Sequence, residues 1–131
     1  MRGILLLYDP EPARLKDRAT LIRDLGHNLD AVSHMDAVEY LLDRKEFDLA
    51  LLAGSGPKIL SMLRLIKREH AHTEVVIAPD RPTVEEAVDA IKDGAFHYLP
   101  EAFRAEPLEL MVQKALEKRM LVIEVQELRD L

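Results

Sequence analysis

Apolar residues gather in five short runs, at residues 4–7, 29–32, 49–52, 75–78 and 98–99 with their neighbours, and longer stretches of helical spacing follow them. Runs this short suit strands buried on both faces. Their fivefold alternation with helical patterns is the sequence form of repeated βα units, hence of a parallel sheet covered by helices on both sides. Asp30 interrupts the second run and marks it as an edge strand. Two helices are set by their stripes: Ile59, Met62, Leu63 and Ile66, then Val84, Ala87, Val88 and Ile91. Both follow i, i+3, i+4, i+7, so both stripes are expected to face the sheet. Thr83 and Glu86 have capping-box spacing after Pro82, and Gly26 and Gly94 stand where left-handed helix stops are wanted.

The last helix carries a packing stripe of Leu108, Met111, Val112 and Ala115, but its pattern runs on through Leu131 with neither Gly nor Pro. About 25 residues at 1.5 Å each make a rod of roughly 37 Å, which overhangs a domain of this size. In the overhang Leu121, Val125 and Leu128 keep a 4,3 spacing among polar neighbours, the spacing of a seam against a partner helix. The expected organisation is one domain over residues 1–119 and a helical extension over 120–131.

Composition narrows the function. At 131 residues and 48% hydrophobic content, one compact core is expected. Cysteine is absent, which excludes disulfides, thiolate metal sites and thiol nucleophiles. A net charge of −6 argues against nucleic-acid binding by this domain itself, since that mode needs clustered Lys and Arg. The apolar run at 4–7 is too short for a signal segment or a membrane span, so a cytosolic protein with no membrane association is expected.

No Ser/His/Asp set or trusted carboxylate pair is visible, and Gly54-Ser55-Gly56 lacks the Gly-Lys-Ser/Thr that makes a phosphate-cradling loop. Catalytic residues, metal ligands and cofactors are therefore all expected to be none. His70 and His72 with Glu74 have alternating ligand spacing but want a fourth partner. His27, His34 and His97 read as surface or edge residues, Asp9 and Glu11 as solvated acids near a helix start, and Ser55 as a turn residue.

Three contiguous spans carry a family resemblance: Phe47-Asp48-Leu49-Ala50-Leu51-Leu52, Ala87-Val88-Asp89-Ala90-Ile91-Lys92-Asp93-Gly94-Ala95, and His97-Tyr98-Leu99 with Phe103 beyond it. They resemble the third strand, the fourth helix with its turn, and the fifth strand of the receiver domain of response regulators. The five βα units stay in register from Gly3 to Arg119. Ala115-Leu116-Glu117-Lys118-Arg119 and the charged helix after it are similar to receivers that precede the ATPase of σ54-dependent transcription activators. The resemblance implies a flavodoxin-like, doubly wound (βα)5 fold with a parallel sheet in the order 2-1-3-4-5 and right-handed crossovers.

The family's chemistry needs two acids after strand one and an aspartate after strand three to hold Mg²⁺ and accept phosphate. It also uses a hydroxyl after strand four and a lysine after strand five. Matched residue by residue, these positions fall on Tyr8 and Asp9, on Ala53, on Pro79 and on Glu101. One carboxylate remains, the nucleophile is a methyl group, and the hydroxyl and the cation are gone. The resemblance therefore implies a degenerate phosphorylation pocket made of Tyr8, Asp9, Ala53, Pro79 and Glu101. The family's Lys-Pro bond, commonly cis, becomes Glu101-Ala102, expected to be trans because a non-proline cis bond costs about 2.5–4 kcal/mol. Tyr98 matches the aromatic residue whose rotation reports activation, and is expected to be a fixed packing or interface residue.

The function expected on these grounds is that of a non-phosphorylatable regulatory domain working through protein partners, homodimerisation included, with Tyr98, Leu121, Val125 and Leu128 as interface residues. It is expected to be the N-terminal piece of a longer transcription regulator that reaches DNA only through other domains. A stand-alone adaptor that binds a kinase or regulator is the first alternative. A divergent phosphotransfer domain using Asp48 or Ser55 is the second.

Overall fold

The structure is a computed structural model and describes residues 2–100 and 102–130. Its elements alternate: β1 Ile4–Tyr8, α1 Pro12–Asp24, β2 Asn28–Val32, α2 Met35–Leu42, β3 Leu49–Ala53, α3 Pro57–Glu69, β4 Glu74–Ala78, α4 Val84–Lys92, β5 His97–Tyr98 and α5 Ala105–Arg129. The five strands form one sheet in the order β2-β1-β3-β4-β5, and every pairing is parallel. Interrupted β2 is an edge strand as its Asp30 implied, and β5 is only two residues long.

Period-two alternation divides the strands between two cores. Leu6, Tyr8, Ala50, Leu52, Val75 and Ile77 meet Val38 and Leu42 of α2, Ile59, Met62, Leu63 and Ile66 of α3, and Ala90 of α4. Leu5, Leu7, Leu49, Leu51, Val76 and Ala78 point the other way, onto Ile22 of α1 and Leu108, Met111, Val112, Ala115 and Leu116 of α5. Gly26 and Gly94 close α1 and α4 at φ 94° and 102°, a conformation in which a side chain would be strained.

One expectation fails. The stripe of α3 is buried, but in α4 only Ala90 is buried, while Val84, Val88 and Ile91 are 78%, 46% and 52% exposed. Helix α4 lays its small residues on the sheet and turns its larger apolar stripe to solvent. Periodicity identifies an apolar face but does not say what covers it.

Beyond Arg119, α5 has no fully buried residue among those described; Leu121, Val125 and Leu128 are 62%, 48% and 68% exposed. The helix is held up to that point by Lys118, whose Nζ lies 3.3 Å from Glu74, and by Arg119, which pairs with Asp48 at 3.0 Å and donates to the His72 carbonyl at 3.0 Å. Among the described residues no helix is long and apolar enough to cross a membrane.

Candidate functional site

In a doubly wound sheet the binding crevice lies outside the carboxyl ends of the strands, where the strand order reverses. Here that is the gap between β1 and β3, whose pairing of Tyr8 with Leu52 brings Asp9 and Ala53 side by side beyond it. Four of the matched residues are closed off from solvent: Tyr8 is 8% exposed, Asp9 and Ala53 are fully buried and Pro79 is buried. Tyr8 does not line the crevice. Strand alternation sends its ring into the core with Val38, Leu52, Ile59 and Met62, where burial and then the Asp9 charge push its hydroxyl pKa up. Glu101 and the Glu101-Ala102 bond lie outside the described residues; no cis peptide occurs among those described.

Asp9 is not a solvated acid as the sequence suggested. It is 0% exposed, and four donors converge on it. Arg14 gives a two-pronged contact, Nε to Oδ2 and Nη2 to Oδ1, both at 2.8 Å; Arg18 Nη1 reaches Oδ2 at 2.8 Å, and the Glu11 backbone N–H donates to Oδ1 at 3.0 Å. The Arg18 guanidinium also lies 4.0 Å over the Phe103 ring, fixed between an anion and an aromatic face. Burial by itself would raise the Asp9 carboxyl. The Arg14 bond, the Glu11 N–H and the two guanidinium charges outweigh it and hold the carboxyl below its usual range.

Arg14 shifts up, chiefly through its bond to Asp9, whereas burial brings Arg18 down; a guanidinium keeps its charge in proteins. These residues do not fit the family's Mg²⁺. One carboxylate remains where a hard cation wants several oxygens, both its oxygens are taken, and two guanidinium groups would repel a dication. Sequence reasoning missed both arginines, although Arg14, Arg18 and buried Ile22 stand four residues apart on one face of α1. A cation in register with a core residue, following an orphaned acid, was the available signal.

A second polar cluster joins the loop after β3 to α4 and β5. Ser55 Oγ accepts the Arg81 N–H at 3.0 Å, as suits a turn residue. Thr83 Oγ1 accepts the Glu86 N–H at 3.1 Å, the first half of the expected capping box. The second half does not form. Glu86 instead accepts the Tyr98 hydroxyl proton on Oε1 at 3.0 Å and the Gly56 N–H on Oε2 at 2.8 Å, while Thr83 N–H donates to Tyr98 Oη at 3.3 Å. Tyr98 is thus fixed at its tip and half-buried along its ring.

The remaining candidates are dispersed. Asp48 sits at the amino end of β3, five residues or roughly 16 Å of strand from Ala53. It accepts the Ile4 N–H at 2.8 Å and pairs with Arg119. His70 meets Asp43 and Glu69, with ligand atoms within 4.8 Å of one another, and not His72 and Glu74; Asp43 and Glu69 are exposed. His27 is not a surface residue: it is 5% exposed, its Nδ1 accepts the Gly3 N–H at 2.9 Å and its Nε2 lies 2.9 Å from Glu109.

No protein-family model matches the chain. Curated proteins do. The alginate biosynthesis transcriptional regulatory protein AlgB of Pseudomonas aeruginosa is 31% identical over 98% of this chain, and the nitrogen assimilation regulatory protein NtrX of Azorhizobium caulinodans is 31% identical over 97%. The chain spans 29% of the length of each. Among solved structures, NtrX from Brucella abortus superposes with a TM-score of 0.86 at 29% identity, over 98% of this chain and 30% of that one. The sheet order, the two-sided helix cover and these relatives agree that the chain belongs to the receiver domains of two-component response regulators.

Proposed function

We propose that this receiver domain takes no phosphate and regulates by protein contact alone. The observation that carries the reading is the crevice itself: a buried methyl group at Ala53 beside a single carboxylate, Asp9, whose charge is met from within by Arg14 and Arg18. Acyl-phosphate chemistry needs a nucleophile and a divalent cation, and neither has a place here. The alternative acceptor Asp48 is disfavoured by its position at the far end of β3 and its pairing with Arg119.

The contact surfaces are the α5 overhang, with Leu121, Val125 and Leu128, and the face of α4 and β5 that presents Val84, Val88, Ile91 and Tyr98. Isolated apolar side chains at seam spacing gain nothing in solvent, whereas each buried Leu or Val is worth roughly 1.5–3 kcal/mol. Two copies pairing through this helix form the expected homodimer. AlgB is named a transcriptional regulatory protein and NtrX a nitrogen assimilation regulatory protein, and both are more than three times as long, so DNA contact is assigned to segments outside these residues and the setting is the cytosol.

Incubation with acetyl phosphate and Mg²⁺, followed by intact-mass measurement, tests the reading. No adduct is expected, and beryllofluoride with Mg²⁺ should leave the amide signals around Ala53 in place. A stoichiometric phosphoryl adduct or saturable Mg²⁺-dependent shifts there would overturn it.

A further inference from the structure

Helix α4 poses a problem of anchoring. Its one buried side chain is Ala90, where α3 buries Ile59, Met62, Leu63 and Ile66. Apolar burial therefore holds α4 weakly, yet α4 carries the exposed stripe of Val84, Val88 and Ile91. Something else must fix its placement.

The bonds of Glu86 supply it. The capping geometry alone would turn this carboxylate back onto the Thr83 N–H. Its oxygens instead go to the Gly56 N–H, at the N-cap of α3, and to the Tyr98 hydroxyl on β5. One anion thereby serves the amino ends of two helices, α3 and α4, where backbone N–H groups and both helix dipoles favour negative charge. Both bonds are of the charge-assisted class, the stronger kind. Gly56 holds φ 98° with open space around its α-carbon, so its backbone can present the N–H to Glu86 in a conformation that strains other residues. Tyr98 closes the circuit by accepting from Thr83, the cap of α4 itself.

We propose that Glu86 is the positioning residue of the α4–β5 face: a built-in carboxylate that clamps Tyr98 and the amino end of α4 to the β3–α3 loop, giving this face one arrangement with no covalent signal. The inference rests on the reading above that the face works by contact without phosphate. It adds what holds the face in place. The part of the fold that a modified acceptor would otherwise have to organise is organised here by a side chain of α4.

The test is NMR on the whole chain, reading amide exchange and the ring-carbon signals of labelled tyrosine. In Glu86→Ala, Gly56 and the first turn of α4 should exchange about tenfold faster and the Tyr98 ring signals should move or double. Amides of β1 and α1, around the Asp9–Arg14–Arg18 cluster, should stay as they were. Glu86→Gln keeps an oxygen for Gly56 but turns an amide toward Tyr98. Gly56 should then stay protected, while the Tyr98 phenol titrates lower than in the parent. Its raised pKa comes first from burial, partly offset by the Thr83 bond, and then from the Glu86 bond and charge. Tyr98→Phe removes only the hydroxyl and should loosen α4 several-fold by itself; combined with Glu86→Ala it should add little, because the two act through one another.

Unchanged Gly56 and Tyr98 signals in Glu86→Ala would overturn the clamp. So would a uniform loss of protection that includes β1 and α1, or strict additivity with Tyr98→Phe. Should Glu86→Ala fail to fold, the Glu86→Gln titration and the Tyr98→Phe exchange decide alone. A phosphoryl adduct on the parent chain would sink the proposed function and leave these signals to speak for the clamp separately.

Discussion

Replacing Arg14 by Met should cost this domain about 3 kcal/mol at neutral pH. Methionine keeps most of the apolar stem, so what is lost is the two-pronged contact to a carboxylate with no exposure to solvent. Removing one partner of a buried pair costs roughly 3–5 kcal/mol, because the other charge is left uncompensated. Asp9 would keep Arg18 at 2.8 Å and the Glu11 N–H at 3.0 Å, which places the cost at the low end. That is a large share of the roughly 5–15 kcal/mol by which domains are stable, and corresponds to a melting shift on the order of 10 °C.

The pH dependence gives the sharper signature. The folded carboxyl of Asp9 is held low, so its contribution is fully present above the unfolded value near 3.9 and is lost as pH falls through the folded value. In Arg14→Met the chief lowering influence is gone and burial pushes the carboxyl back up. The gap between parent and variant should therefore be full at pH 7 and shrink as pH falls through the variant's folded carboxyl pKa toward the lower value held in the parent. Urea unfolding followed by circular dichroism at neutral and acid pH measures it, and added Mg²⁺ should not restore the variant. A variant within about 0.5 kcal/mol of the parent at pH 7, the usual span for surface substitutions, would refute the account of Asp9. So would a gap that persists unchanged into acid.

Ala53→Asp alone should gain no phosphate from acetyl phosphate by intact mass, since Arg14 and Arg18 still occupy the place of the cation; a stoichiometric adduct would show that the arginines yield. Thr83→Ala removes the cap bond to the Glu86 N–H and should cost about 1 kcal/mol in chemical denaturation; no change would mean that the tertiary bonds of Glu86 suffice. Leu121→Glu with Leu128→Glu should lower self-association in sedimentation velocity without altering the melt. A strictly monomeric parent at high concentration, or an unchanged dimer in the variant, would remove this helix from the mechanism.

The element pattern was legible in the chain because strand and helix periods differ and each buried face repeats its own. Five apolar runs became five strands, and the order 2-1-3-4-5 followed from the family register. Where the sequence misled, a residue's partner came from another element. Val84, Val88 and Ile91 have a stripe's spacing but face solvent, because the sheet is covered there by Ala90. Asp9 and Glu11 read as equivalent acids near a helix start, yet one is buried under two arginines and the other is exposed.

The sequence alone determined what chemistry is missing: Ala53 has no nucleophilic atom and Pro79 no hydroxyl in any fold, since those are properties of the residues themselves. Only the tertiary structure decided what stands in their place. Arg14 and Arg18 neutralise Asp9 because α1 returns along β1, and Glu86 leaves its own cap because the loop after β3 and the end of β5 arrive beside it. Both outcomes depend on distances between a carboxylate and donors on other elements, five to thirty residues away along the chain, and electrostatic energies follow separation in space, which residue order does not contain.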